Sequence, residues 1–517
     1  SDWSSDVCSS DLMDLFNYSG TENASPFESM SSDELLKAME AGLMTGMQYD
    51  NQLNNGGGLK PESLDYVLKN LENRLDQLVF WNELNRQKIE NTVHQYNQLY
   101  KYGQEVGIFN QEGETPTETD SVYRRKSIVV KFTGVTGQVT HPGMIVRTVV
   151  GSLYTKEVEN KTILLQTILD KKVIDANSAK VPEEFDGVFA QHVEGINDIT
   201  GGLLGKTSEQ VLDAYFGDVA VLNANGHVLN DALVEDAAQA VVNDRNGLID
   251  RIVSSPVVFN NYVKLFHESK RVIVGMEGGV TGATMGQSVN NITTQFGKVA
   301  IKADKFFDWN APIKLNRGKT SDKAPNAPVK DTTSPVAVAV DPKGQFGTEH
   351  AGNYLYAVTA KNRYGESEPT LLTDADHAVG ATQSVTLKFS AANSSAYPET
   401  CYVIYRTEVN PMSKDVADFY PIFEVSRTEM AAGWDGADPG TIHDRNRWIA
   451  GTKSALVYFN GSEMIEYLEL GGTMKLDYAI VGPRRSFSVL NYGTPVEYMP
   501  GKIARIVNIG RIGMPTV

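Results

Sequence analysis

The stretch "NQEGETPTETDSVYRRKSIVVKFTGV", residues 110–135, places four acidic residues (Glu112, Glu114, Glu118 and Asp120) directly before three basic ones (Arg124, Arg125 and Lys126). A run with period-two alternation follows, with Ile128, Val130 and Phe132 on one face and Val129, Lys131 and Thr133 on the other. That is the pattern of a strand leaving a long, polar loop of both charge signs. Two readings fit: a solvated hairpin, or an extended arm whose opposite charges meet neighbouring copies of the same chain. The residues leave both open.

Working outward, the chain has 517 residues, enough for roughly two to four domains. Its net charge of −17 argues against a surface built to coat nucleic acid, which needs clustered Lys and Arg. No run of about 18 apolar residues is present, so no spanning helix is expected. Cys8 and Cys401 are the two cysteines, too few for a disulfide framework or a four-cysteine zinc site. Residues 1–12, SDWSSDVCSSDL, lack the basic and apolar regions of a signal peptide and read as the in-frame translation of a sequencing adapter. The native start is therefore expected at Met13. Without Asp2, Asp6 and Asp11 the charge becomes −14, and Cys401 is the one native thiol.

Helices are expected over 33–47 and from Pro61 through Val79, where Leu64, Val67, Leu68, Leu71, Leu75 and Leu78 recur at three-four spacing. Two more are expected over 153–173 (Val158, Leu165, Leu169) and 229–253 (Leu233, Ala237, Val241, Leu248, Ile252). Short strands and glycine-rich loops lie between them, so this part reads as α+β. Residues 310–333, rich in Pro, Lys and Asn, read as a linker. After it the pattern turns all-β, with strands at 334–340, 353–360, 384–389, 401–406 and 420–426. Turn signals at short intervals between them suggest a sandwich. "YLYAVTAKNRYGESEP" (354–369) reads as immunoglobulin-like, similar to fibronectin type III modules. The α+β pattern resumes after about residue 446. The expected organisation is thus one host domain interrupted by an all-β insertion at 334–446, as exposed loops tolerate.

No constellation of acid, base and nucleophile emerges, and an enzyme is not expected. "TGGLLGKT" (200–207) has Thr200 where a phosphate loop needs glycine, and "GMEGGVTGATMG" (275–286) is too irregular for a dinucleotide loop. The eight histidines show no metal-ligand spacing, and Pro116 breaks any calcium-loop pattern in the acidic stretch. No G-x-S-x-G elbow is present. Cys401, in the alternating "CYVIYR", reads as a buried small hydrophobe. No catalytic, cofactor-binding or metal residue is nominated.

Three stretches, in this order, carry a family resemblance. "TVHQYNQLYKYGQ" (92–104), the acidic loop and "RRKSIVVKFTGVTGQVTHPGMIV" (124–146) look like an N-terminal arm followed by an extended loop. "EEFDGVFAQ" (183–191) is similar to the segment after a long spine helix. "MIEYLELGGTMKLDYAIVGPRRSFSVLNYGTPVEYMPGKIARIVNIG" (464–510) is similar to a final run of strands. Together they resemble major capsid proteins of tailed bacteriophages with the HK97-type fold, in particular those of large contractile-tailed phages of Gram-positive hosts.

The resemblance implies an α+β subunit with an N-terminal arm and helices (13–90), an extended loop region (91–140), the first part of peripheral and axial domains (141–325), the Ig-like insertion (334–446) and a C-terminal capsid part (447–517). It implies a chain that self-assembles as hexamers and pentamers into an icosahedral head shell around double-stranded DNA. That shell would form in the bacterial cytoplasm and belong to the virion. Implied partners are further copies of the chain, a scaffold protein, a portal, a maturation protease and packaged DNA held without sequence specificity. Host-surface glycans could be met through the Ig-like module, and no cofactor is implied. Intersubunit contacts are expected at Glu112, Glu114, Glu118, Arg124, Arg125 and Lys126, and maturation cleavage at Glu40. The alternative is a tail or surface-adhesion protein carrying an Ig-like domain; a series of such modules would favour it, and the sequence has one.

Overall fold

In the computed structural model the described residues are 75–103, 108–146, 151–192, 221–266, 289–308, 311–372, 377–391, 396–432, 439–480 and 482–515. The expected helix at 33–47, most of the one from Pro61, the loops at 200–207 and 275–286, and Glu40 lie outside them. The chain divides into two units; Glu72–Val146 with Ser152–Val517 is the one described here.

This unit begins with α1 (Val79–Glu83) and β1 (Asn85–Lys88), then a hairpin of β2 (Val93–Lys101) and β3 (Val122–Val129). β4 (Lys131–Thr140), α2 (His141–Ile145) and the 23-residue α3 (Leu153–Asp175) follow. Next come β5 (Val221–Asn223), α4 (Asp231–Arg245), β6 (Arg251–Ser254), α5 (Pro256–Phe266), β7 (Asn291–Thr294) and β8 (Gly297–Ala303). An all-β stretch holds β9 (Val329–Lys330), β10 (Val336–Val340), β11 (Gly352–Tyr354), β12 (Tyr356–Asn362), β13 (Gly365–Glu366), β14 (Thr370–Leu371), β15 (His377–Val379) and β16 (Gln383–Ser390). It continues through β17 (Cys401–Thr407), β18 (Phe419–Ser426), α6 (Arg427–Ala432) and β19 (Thr441–Asp444). The end of the chain supplies β20 (Lys453–Tyr458), β21 (Ile465–Glu469), β22 (Met474–Asp477), β23 (Arg484–Glu497) and β24 (Ala504–Ile509).

Two sheets form the α+β body. In one, β23 is central: β21 and β22 pair with it, β1 adds to β21 in parallel, and β4 runs antiparallel to β23 from Lys131↔Gly493 to Thr140↔Arg484. The other has the order β5-β24-β20-β6-β8-β7. Ser152 caps α3 by accepting from Thr155 N–H, and Leu165, Leu169, Val173 and Ile174 of α3 are buried in the core that also holds Phe80, Trp81, Phe487 and Val489. Its apolar residues do not form one clean stripe: Leu164 and Ile168 are exposed, while Asp170 is buried.

α4 is shorter than expected. Asn230 caps it through a 2.8 Å bond from Leu233 N–H, and Asn246 ends it in the left-handed region at φ 52°. Asn tolerates that conformation, and Gly247 follows it. Leu248 then lies exposed and Ile252 belongs to β6. The stripe running to Val79 is also interrupted: Leu75–Gln77 is a 3-10 turn, and α1 starts separately after Leu78. In the opening stretch the strand breaks at Val130. Ile128 and Val130 stay inward, while Phe132 turns out, 63% exposed, because the alternation restarts one residue later in β4.

Residues 329–444 build two larger antiparallel sheets, β10-β16-β19 with β9 and β13-β12-β17-β18 with β14, and a two-stranded one, β11-β15. Val336, Val385, Leu387 and Ile442 of the first share a core with Tyr356, Val358, Tyr402, Ile404 and Val425 of the second. That cluster contains no residue of the body's two main cores. The segment expected as a linker instead covers the outer face of the second sheet. Ile313 exchanges backbone bonds with Phe419 at 2.8 and 3.0 Å and packs with Leu355, Ala357, Val403 and Tyr405. This is why every residue of β17 is buried: each of its two faces has its own apolar cover.

Arg406 of β17 is fully buried among polar groups. It donates to Asp444 Oδ2 at 2.6 Å, Asn446 Oδ1 at 2.7 Å and Trp448 O at 3.0 Å, while Tyr356 Oη donates to the same Asp444 oxygen at 2.9 Å. Removing one partner of such a pair strands the other charge. Arg406→Ala should therefore cost about 3–5 kcal/mol in chemical denaturation of the full chain, whereas Leu387→Ala, a core truncation, should cost about 2–5 kcal/mol. In hydrogen exchange both losses should fall on peptides from 336–450, with peptides from α3 and β23 unchanged.

Candidate functional site: the charged hairpin and its root

The β2–β3 hairpin contains all six residues expected at intersubunit contacts. Its register pairs Asn97 with Arg125, Gln98 with Arg124 and Tyr96 with Lys126. The two charge signs are separated: Arg124, Arg125 and Lys126 lie within β3, whereas Glu112, Glu114 and Glu118 lie in the exposed connection beyond it. Glu114 accepts from Gln111 N–H, and Arg125 Nε donates to Asn97 Oδ1 at 3.0 Å. Ile108 and Phe109 near the tip are 65% and 98% exposed. An acidic tip with uncovered aromatic surface is suited to contact another surface rather than to hold a small ligand. Among the described residues, no group of three or more His, Cys, Asp or Glu could hold a metal ion.

The hairpin's root is fixed to the body. Gln98 Nε2 donates to Tyr498 O, and the Tyr96 and Tyr498 rings meet edge to face at 5.0 Å. Tyr498 Oη donates to Glu466 Oε2 at 3.1 Å. Nearby, Glu497 meets His192 Nδ1 at 3.1 Å, both buried; burial raises the Glu497 carboxyl, opposed by His192 and by Lys126 of the hairpin. Gln191 donates to Pro495 O at 2.8 Å and accepts from Glu497 N–H at 2.9 Å. "EEFDGVFAQ" thus clamps the chain after α3 onto the end of β23. Gly187 is required in it, since a Cβ would lie 2.8 Å from Ile174 O. Sequence reading missed Tyr96, Gln98, Gln191 and Tyr498: polar and aromatic residues whose partners lie hundreds of positions away leave no local pattern.

A cleft of about 510 Å³ lies between the end of α3, the outer face of β17–β18 and residues 448–454. Two ion pairs lie within its lining: Lys361 meets Glu424 at 2.7 Å and Arg317 meets Glu366 at 2.8 Å. Burial raises Glu424, but Lys361 and Lys180 outweigh it and hold the carboxyl at about 2. The arrangement is a polar seam. Cys401 is fully buried, and burial, followed by the nearby Glu424 charge, pushes its thiol up to about 12, which leaves it unreactive. Among the described residues no helix is long and apolar enough to cross a membrane.

No family model matches the chain. It is similar to the major capsid protein of Staphylococcus phage K, 21% identical over 495 residues that cover 93% of this chain and 96% of that protein. Among solved structures, the SrpI encapsulin complex from Synechococcus elongatus PCC 7942 overlaps 92% of this chain and 99% of its own at 6% identity, with a TM-score of 0.39. Mycobacterium phage Bobi overlaps 88% and 97% at 8% identity, with a TM-score of 0.40. Overlaps of that quality carry no weight by themselves.

Tyr96→Ala should loosen the hairpin root, because an edge-to-face ring pair contributes about 0.5–1.5 kcal/mol beyond its buried area. Hydrogen exchange should show faster exchange across 93–101 and 122–129, with 110–120 unchanged. Equal change at root and tip would contradict this assignment of the anchor.

Proposed function

We infer that this chain is the major capsid protein of a tailed bacteriophage, an α+β subunit of the HK97-type fold. Copies of it form the icosahedral head shell of the virion. The observation that carries this is the similarity to a phage major capsid protein along almost the whole length of both chains. A tail or adhesion protein would not be expected to match from end to end. Like its relative, the chain acts as a structural protein, and no catalytic role is assigned to any residue.

Finer features follow from the same reading. The copies group as hexamers and pentamers. Glu112, Glu114 and Glu118 at the hairpin tip, with Arg124, Arg125 and Lys126 in β3, make contacts between subunits. The two-sheet unit at 334–446 is an Ig-like insertion on the outer surface, suited to stabilising the particle or attaching it to host-surface glycans. Its separate core supports this, since a module with its own core can occupy a loop of a host domain. Glu40 is a maturation cleavage point for a phage protease. A scaffold protein, a portal and packaged DNA complete the partners.

Exposed ion pairs are each worth only about 0–1 kcal/mol, but a shell repeats each pair once per subunit. Arg124→Glu with Arg125→Glu should abolish particles in sedimentation velocity while circular dichroism and melting stay those of the parent chain. Normal particles from the double variant would remove the contact assignment; a parent chain that forms no assembly at all would remove the capsid reading.

A further inference from the structure

Asp170 on α3 and Asp304, the residue after β8, are both fully buried. Between them they receive the segment leading toward the hairpin. Trp81 N–H donates to Asp170 Oδ1 at 2.9 Å, and Phe80 N–H donates to Asp304 Oδ2 at 2.7 Å. Phe306 N–H occupies Asp304 Oδ1 at 2.7 Å. Asp170 Oδ2 is buried and receives no N–H or hydroxyl donor among the described residues. An ionised Asp170 would place that bare oxygen against a second carboxylate, at a cost that protonation removes. A proton on it makes Asp170 a donor to Asp304.

The surroundings do not neutralise the pair. Lys171 on α3 has only a weak opposing effect on Asp170. Glu83 on α1 is engaged by Arg251 of β6 and Lys302 of β8, with Asp250 beside Arg251. Lys171 and Lys305 lie over the Phe306 ring, and the Tyr458 ring of β20 meets Phe80 edge to face at 6.3 Å.

We propose that Asp170 and Asp304 hold one proton between them and form a pH-sensitive latch that fastens Leu78–Leu84, the segment leading toward the hairpin, to the body. Burial first, and the Asp304 charge second, push the Asp170 carboxyl up to about 8. Burial raises Asp304 as well, against the amides of Phe80, Phe306, Phe307 and Val79. Once this segment opens, both become ordinary carboxyls near pKa ~4. The closed latch therefore binds a proton that the open form gives up between pH ~4 and ~8. Closure is strongest at the acid end of that window, weakens as pH rises through it and changes no further above pH ~8. Its consequence is that alkaline conditions loosen Leu78–Leu84 from the body, while the hairpin stays held by β1 on β21 and Tyr96 on Tyr498.

Hydrogen-exchange mass spectrometry of the full chain tests this on peptides covering 78–84, from pH 5 to 9, corrected for base-catalysed exchange. Protection should fall about tenfold per pH unit up to pH ~8 and then level off, the signature of one released proton. Asp170→Asn keeps an acceptor for Trp81 N–H and supplies an N–H toward Asp304. It should flatten the profile and slow exchange at pH 8. Asp304→Asn gives up one acceptor and lowers protection at every pH; burial, the larger cause, still holds Asp170 above the ordinary carboxyl range, so the slope should persist and level off at a lower pH than in the parent chain. A flat profile in the parent chain overturns the latch. So does a parent slope that survives unchanged in Asp170→Asn, because another group then carries the proton.

Discussion

Ten consecutive residue pairs between β4 and β23 join parts of the chain about 350 residues apart, and the architecture depends on them. The hairpin enters and leaves the body within a few residues of this ladder. α3 packs across it, and β21 and β22 extend it on the other side. Pairing of such separated segments is slow to form, since loop closure precedes any contact. Once made, it sets the direction of everything attached. The hairpin can project because its root is fixed at several points: the β1–β21 pairing, Tyr96 on Tyr498, and the carboxyls that receive the amides of Phe80 and Trp81.

The same constraint explains how an all-β unit can interrupt the chain. β8 and β20 both pair with β6 in one sheet, so the two ends of the interruption leave the body close together. The unit's apolar cluster stands apart from those of the body, and the contacts between them are largely polar. Ile449 N–H donates to Asn508 Oδ1 at 3.0 Å, Arg511 reaches Glu408 at 2.8 Å, and the charged seam beside α3 runs between. A polar junction lets each part keep its own core, as expected where one fold is inserted into another.

Sequence reading recovered elements whose signal is local. The spacing of Leu165 and Leu169 marked α3, and alternation marked β10, β16, β17 and β18. It failed where a single residue overrides periodicity: Asn246 ends α4 in a left-handed conformation, and Val130 splits one expected strand into two. It also failed where polarity misleads. Residues 310–333, rich in Pro, Lys and Asn, looked like a linker, but Ile313 and Ala324 are buried, Ile313 against the sandwich. The charges of the hairpin were legible at once. Its anchors were not, because Tyr96, Gln98, Asp170 and Asp304 gain meaning only from partners far along the chain.

The central claim is that a projecting charged hairpin on a rigid root makes this chain a shell-forming subunit. Cryo-electron microscopy of the full chain tests it most directly. The account predicts closed particles with fivefold and sixfold clusters, in which residues 110–126 of one copy lie against its neighbour and residues 334–446 project outward. A solution of monomers, or particles in which 110–126 touches only its own chain, would contradict it.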